Sequence, residues 1–195
     1  MTELKHYDLL IQKLDAFVRK YYVNKLIKGL LLTIGLVGIV FLIFSLGENF
    51  FYFGQTGRKV LFYSFLGLTG FSLYRWVITP VLHYFQLGRV ISHEQAASII
   101  GTHFVDVQDK LLNILQLRKQ LYQDPNASLL LAGIEQKTEA IRPIVFPNAI
   151  DLSRNRTYLK YALPPLAILL FLLIAAPSMI REPATRILAN NKDFA

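Results

Sequence analysis

The stretch KYALPPLAILLFLLIAAPSMIR, Lys160 to Arg181, places twenty uncharged residues between two cations. An α-helix rises about 1.5 Å per residue, so twenty residues cover the roughly 30 Å hydrocarbon core of a bilayer. Two further runs have the same character. Gly29 to Gly47 carries no charge, and Val60 to Leu87 carries one, Arg75. The whole chain agrees: 53% of its residues are hydrophobic, its mean hydropathy is +0.39, and 17% are charged, against roughly 25% in a soluble domain.

The expected fold class is an all-α integral membrane protein. It has three transmembrane helices, an N-terminal amphipathic helix and a small helical cytoplasmic insert between spans two and three. The expected boundaries are an amphipathic basic helix at 1–25, spans at 26–47, 60–82 and 161–180, an extracytoplasmic connector at 48–59, the insert at 86–157 and an extracytoplasmic tail at 181–195.

The opening segment repeats apolar residues with a helical period: Leu4, Ile11 and Val18, then Tyr7, Leu14 and Tyr21, widened by Leu10 and Phe17. Lys5, Lys13, Arg19, Lys20 and Lys25 form its basic complement. Glu3, Asp8 and Asp15 dilute that face, which favours packing on protein over lying in the headgroups. Charged and polar residues recur through the first 28 positions and no A-x-A site follows. The first span is therefore expected to be retained as a signal anchor.

Within span one, Gly29, Gly35 and Gly38 thin the helix surface and offer an approach for another helix. Span two carries Arg75 beside Trp76. Ten Val, Leu, Ile or Phe residues between Val60 and Ile78 supply roughly −3 to −6 kcal/mol of insertion free energy, against about +2.5 to +3.5 for one central Arg, so insertion wins. Arg75 reads either as a cation paired with a partner or headgroup, or as an interfacial anchor that snorkels. Pro80 marks a kink or the helix end. In span three, Pro164 and Pro165 fit a helix start, where proline costs little.

The insert reads as three short helices. Ser92 and Gln95 have capping-box spacing and Gly101 is a C-terminal stop. Val107, Leu111, Ile114, Leu115 and Leu121 share one face; Leu130, Ile134 and Ile141 share another, stopped by Pro143.

Orientation follows from Lys and Arg near the spans. Fifteen lie in residues 1–28 and in the insert with its exit, Arg89 among them; five lie in the connector and tail. A cytoplasmic N-terminus, a cytoplasmic insert and an extracytoplasmic C-terminus are expected, in a bacterial inner membrane. A short tail without a domain of its own suggests the front of a longer protein.

Chemistry finds little to stand on. The four histidines are His6, His83, His93 and His103, and HEQAA is not H-E-x-x-H because Ala97 occupies the second ligand position. Asp106 reads as a helix-start residue rather than part of a carboxylate cluster with Asp109 and Glu94. GQTGRK lacks the spacing of a phosphate-binding loop, and no nucleophile elbow, kinase or dinucleotide signature occurs. The sequon at Asn126 is expected to be chance. Without cysteine, disulfides and thiolate chemistry are excluded. The net charge of +8 comes from span-flanking cations rather than a nucleic-acid motif. No catalytic, cofactor or metal residues are expected, and no enzyme activity.

The segment SHEQAASIIGTHFVDVQDKLLNILQL, Ser92 to Leu117, together with the tail NNKDFA, resembles the N-terminal membrane region of a large, uncharacterised family of membrane-anchored proteins of Bacteroidota. In that family a helical membrane region precedes a very long extracytoplasmic part with Ig-like and coiled-coil character. The resemblance implies an anchor within an envelope assembly, around the protein-export channel for example. The expected partners are membrane lipids and other integral membrane proteins, with no nucleic acid. The alternative is a small membrane enzyme or a transporter or channel accessory subunit.

Overall fold

A computed structural model describes residues 5–85, 87, 91–121 and 128–192. Arg89, Glu3, Leu4, Asn126 and the last three residues of the tail, all used above, lie outside them. The described chain is helical, without strands. Its elements are α1 (Lys5–Phe51), α2 (Gln55–Leu73), a π-helical turn (Tyr74–Ile78), α3 (Thr79–Tyr84), α4 (His93–Gly101), α5 (Val105–Leu121), α6 (Ser128–Ile141), two 3₁₀ segments (Phe146–Ala149 and Leu152–Tyr158), α7 (Leu159–Ala175) and α8 (Ser178–Leu188). Three helical stretches are long and apolar enough to cross a membrane: His6–Phe51, Gln55–Tyr84 and Phe146–Ala175. The chain is an all-helical, membrane-spanning protein.

It divides into two compact units, Met1–Asn24 with Leu82–Leu152, and Lys25–Val81 with Ser153–Ala195. The first is a polar helical unit built on a buried apolar core. Leu10, Leu14, Phe17, Val18 and Tyr22 of α1 pack with Ala96, Ala97 and Ile100 of α4, Val107, Leu111 and Ile114 of α5, and Ile134 and Ile141 of α6. The seven-residue spacing in the N-terminal segment thus buries its stripe against protein. Its cations serve the same unit. Lys13 Nζ donates to the carbonyls of Arg142 and of Ile144 (3.2 Å), and Lys20 Nζ donates to that of Pro147 (2.8 Å). These close the chain beyond α6, where Pro143 ends helical bonding.

The capping box forms as spaced. Gln95 N–H donates to Ser92 Oγ at 3.2 Å and Ser92 N–H to Gln95 Oε1 at 3.0 Å. Gly101 ends α4, but through space rather than a left-handed backbone: a Cβ there would collide with Gln108 at the start of α5. His93 Nε2 lies 3.0 Å from Asp15 Oδ1, and His6 lies 3.4 Å from Glu135 and 3.8 Å from Glu139. Both histidines tie α1 to the helices it covers.

Three boundaries of the membrane unit differ from expectation. First, α1 continues without a break through positions 25 and 26, because no proline or turn residue interrupts it. Second, the connector shrinks to the residues between Phe51 and Gln55. Tyr52 closes α1 in the left-handed region, with φ 48°, a position glycine usually takes. Third, α7 starts at Leu159, so Pro164 and Pro165 lie inside it rather than at its start. The preceding 3₁₀ segment feeds directly into the helix, which runs on through both prolines without their N–H groups. At its other end α7 stops at Ala175. Pro177 disfavours helical backbone at Ala176, and the chain resumes as α8.

Candidate functional site

In the membrane unit the three glycines of span one all face neighbouring backbone or proline. A Cβ on Gly29 would run into the carbonyl of Trp76 and lie 2.8 Å from its carbon. A Cβ on Gly35 would lie 2.5 Å from the Tyr161 oxygen, and one on Gly38 would lie 3.1 Å from Pro165 Cβ. Real Cβ contacts do not reach the distances at Gly29 and Gly35, and the one at Gly38 is tight, so the helices approach this closely because these positions lack side chains.

The two carbonyls have a common origin. In an α-helix Trp76 O would accept from residue 80 and Tyr161 O from residue 165; both are prolines. Proline has no N–H, and its ring pushes the carbonyl four residues earlier out of line. At Trp76 the backbone answers with the π-turn. Thr79 N–H donates to the Tyr74 carbonyl, and Thr79 Oγ1 donates to the same oxygen at 2.8 Å. Each carbonyl that a proline leaves without its helical N–H therefore lies where a side chain on the facing glycine would be. The glycines that the sequence offers to another helix are met by the chain's own π-turn and α7.

Arg75 sits in that π-turn and is exposed. Among the described residues its side chain makes no hydrogen bond or ion pair. Since Trp76 faces Gly29, Arg75 comes level with Lys28, whose Nζ lies 4.7 Å from the Tyr158 ring centre. That level carries cations and aromatics together.

The other end of α1 holds a feature that the sequence reading missed. Glu48 is fully buried and Arg58 nearly so. Arg58 Nε donates to Glu48 Oε1 at 2.9 Å, Phe53 N–H donates to Glu48 Oε2 at 3.2 Å, and Arg58 Nη1 donates to the Lys192 carbonyl at 3.4 Å. The pair clamps the α1–α2 turn and the chain after α8. Beside it the buried Arg186 guanidinium lies 4.5 Å from the Tyr52 ring centre, and its Nη2 donates to Glu182 Oε2 at 3.1 Å. The signal was present in outline: opposite charges, Glu48 and Arg58, flank a short aromatic connector at the end of a charge-free run.

Among the described residues, no group of three His, Cys, Asp or Glu is arranged to hold a metal ion. Comparisons with family models, with curated proteins and with solved structures found no match to this chain.

Proposed function

We propose that the chain is a non-catalytic anchor and assembly subunit of the bacterial inner membrane, multi-pass, with its N-terminus and polar unit in the cytoplasm. In this reading it tethers an extracytoplasmic region and packs with other membrane proteins of an envelope complex, the export channel among the candidates. The resemblance carried by Ser92–Leu117 supports the tether. The buried charges support a structural role, since Glu48, Arg58 and Arg186 join helix ends and turns.

The observation that carries the assembly role is the outer face of α2. Its most apolar window is 11% buried within the chain. A Cβ on Gly67 or Gly70 would meet nothing within 4 Å, and Tyr63, Leu66 and Phe71 around them are exposed. Small residues among large apolar ones are what a second membrane helix packs against.

Extraction in mild detergent followed by co-purification tests the proposal. Other membrane proteins should be recovered with the wild type and lost with Gly67→Leu. A monodisperse 22.3 kDa species with a turnover activity would overturn it and favour the small-enzyme reading.

A further inference from the structure

One end of the membrane unit gathers cations from three separate stretches of chain. The Trp76 carbonyl meets Gly29, and Lys28 Nζ lies 4.7 Å from the Tyr158 ring centre. These two contacts bring the first turn of α1 within the unit, the π-turn and the 3₁₀ segment before α7 to one level. Lys25, Lys28, Arg75, Arg154, Arg156 and Lys160 lie at that level or within a turn or two of it, and all are exposed. No Asp or Glu accompanies them among the unit's described residues. Glu48 lies about 30 Å further along α1, and Glu182 is on α8; they are held in ion pairs with Arg58 and Arg186. The nearest carboxylate in the chain is Asp151, two residues before the unit resumes at Ser153, and it offsets one charge at most.

Aromatic rings stand among these cations. Lys28 lies over Tyr158, Lys160 Nζ is 5.1 Å from the Tyr161 ring centre, and Trp76 follows Arg75. Beyond them, within one or two turns, the exposed surface becomes apolar: Leu30 and Ile34 on α1, Leu73 on α2, Leu163 and Leu166 on α7. Exposed cations that give way so quickly to exposed apolar surface match one molecule with both characters. A phospholipid lays its acyl chains along the helices and its phosphodiester at the cations. A soluble polyanion would meet the charge and leave the apolar surface uncovered.

We propose that this end of the membrane unit is a binding surface for the headgroups of anionic phospholipids, selected by Lys28, Arg75, Arg156 and Lys160. A zwitterionic headgroup brings its own cation to the phosphate and gains little from four more. An anionic headgroup keeps a net negative charge, which these side chains neutralise. Arginine adds paired donors for phosphate oxygens, and the Tyr158 and Tyr161 rings hold Lys28 and Lys160 at the surface.

Native mass spectrometry of the detergent-purified full chain tests this with equimolar phosphatidylglycerol and phosphatidylcholine of identical acyl composition. The wild type should retain phosphatidylglycerol over phosphatidylcholine by about five-fold, the effect of one Lys or Arg at an anionic surface. Glycerol phosphate, which has the charge without the chains, should not displace it. Lys28→Gln, Arg75→Gln, Arg156→Gln and Lys160→Gln combined should bring the ratio close to one while lipid still binds. Lys59→Gln, Arg181→Gln and Lys192→Gln combined, at the opposite end, should leave the ratio unchanged. Equal retention of the two lipids by the wild type would overturn the proposal whether or not the variants fold. An unchanged ratio in the folded four-residue variant, an equal loss in the opposite-end variant, displacement by glycerol phosphate, or an acidic protein co-purifying in place of lipid would also overturn it.

Discussion

Gly35 of α1 lies under the Tyr161 carbonyl, which Pro165 deprives of its helical N–H; a Cβ at position 35 would lie 2.5 Å from that oxygen. The same relation holds between Gly29 and Trp76, with Pro80 as the cause. Two helices thus turn the same proline defect toward two glycines of one span. The defect costs little where the displaced oxygen fits into a glycine notch, and the notch packs well because an oxygen fills it.

Gly29→Ala and Gly35→Ala should each destabilise the membrane unit by about 1–3 kcal/mol or more, the cost of overpacking against backbone that cannot rotate away. Gly67→Ala and Gly70→Ala, which meet open space, should be neutral or gain from better helix propensity. Unfolding by sodium dodecyl sulfate in mixed micelles reads the difference. Equal effects at all four positions would contradict the seam.

Pro165→Ala restores the N–H that can draw the Tyr161 carbonyl back into α7. Gly35→Ala should therefore be better tolerated in a Pro165→Ala background. A double-mutant cycle should return a coupling of about 0.5–3 kcal/mol, as for residues in contact. Strict additivity would mean that the proline does not set the carbonyl.

Glu48→Gln or Arg58→Gln removes one member of a buried ion pair, which costs about 3–5 kcal/mol. The double replacement should cost clearly less than the two added together. Detergent unfolding of the three variants measures this. A negligible effect of Glu48→Gln would show the turn to be held by other contacts.

In the polar unit, Ser92→Ala removes the acceptor for Gln95 N–H and should cost about 1 kcal/mol of local stability. Amide hydrogen exchange should quicken across residues 93–96 and stay unchanged in α5. A uniform change over the unit would contradict a local cap.

Periodicity and charge placement made most of this fold legible. Three apolar runs announced three crossing helices, the Ser92–Gln95 pair announced the start of α4, and the Val107–Leu111–Ile114 stripe announced the buried face of α5. Gly29, Gly35 and Gly38 were legible as points of close approach, but not what approaches them. That depends on which carbonyls Pro80 and Pro165 displace, and on how helices far apart in the chain meet. Pro164 and Pro165 misled for a related reason: local cost argues for a helix start, while the carbonyl that Pro165 leaves free inside α7 packs against Gly35 of α1. Glu48 and Arg58 escaped notice because each is an ordinary span-flanking charge when read alone. Their burial arises when α1 ends at Phe51 and the chain after α8 covers the turn.

In the orientation proposed above, the three helices thread the bilayer with Lys110 on the cytoplasmic side and Thr56 on the other. The chain has no cysteine, so single cysteines report without background. On intact spheroplasts, a membrane-impermeant maleimide should label Thr56→Cys at once and Lys110→Cys only after permeabilisation. Labelling of Lys110→Cys in intact cells with Thr56→Cys protected would contradict the account.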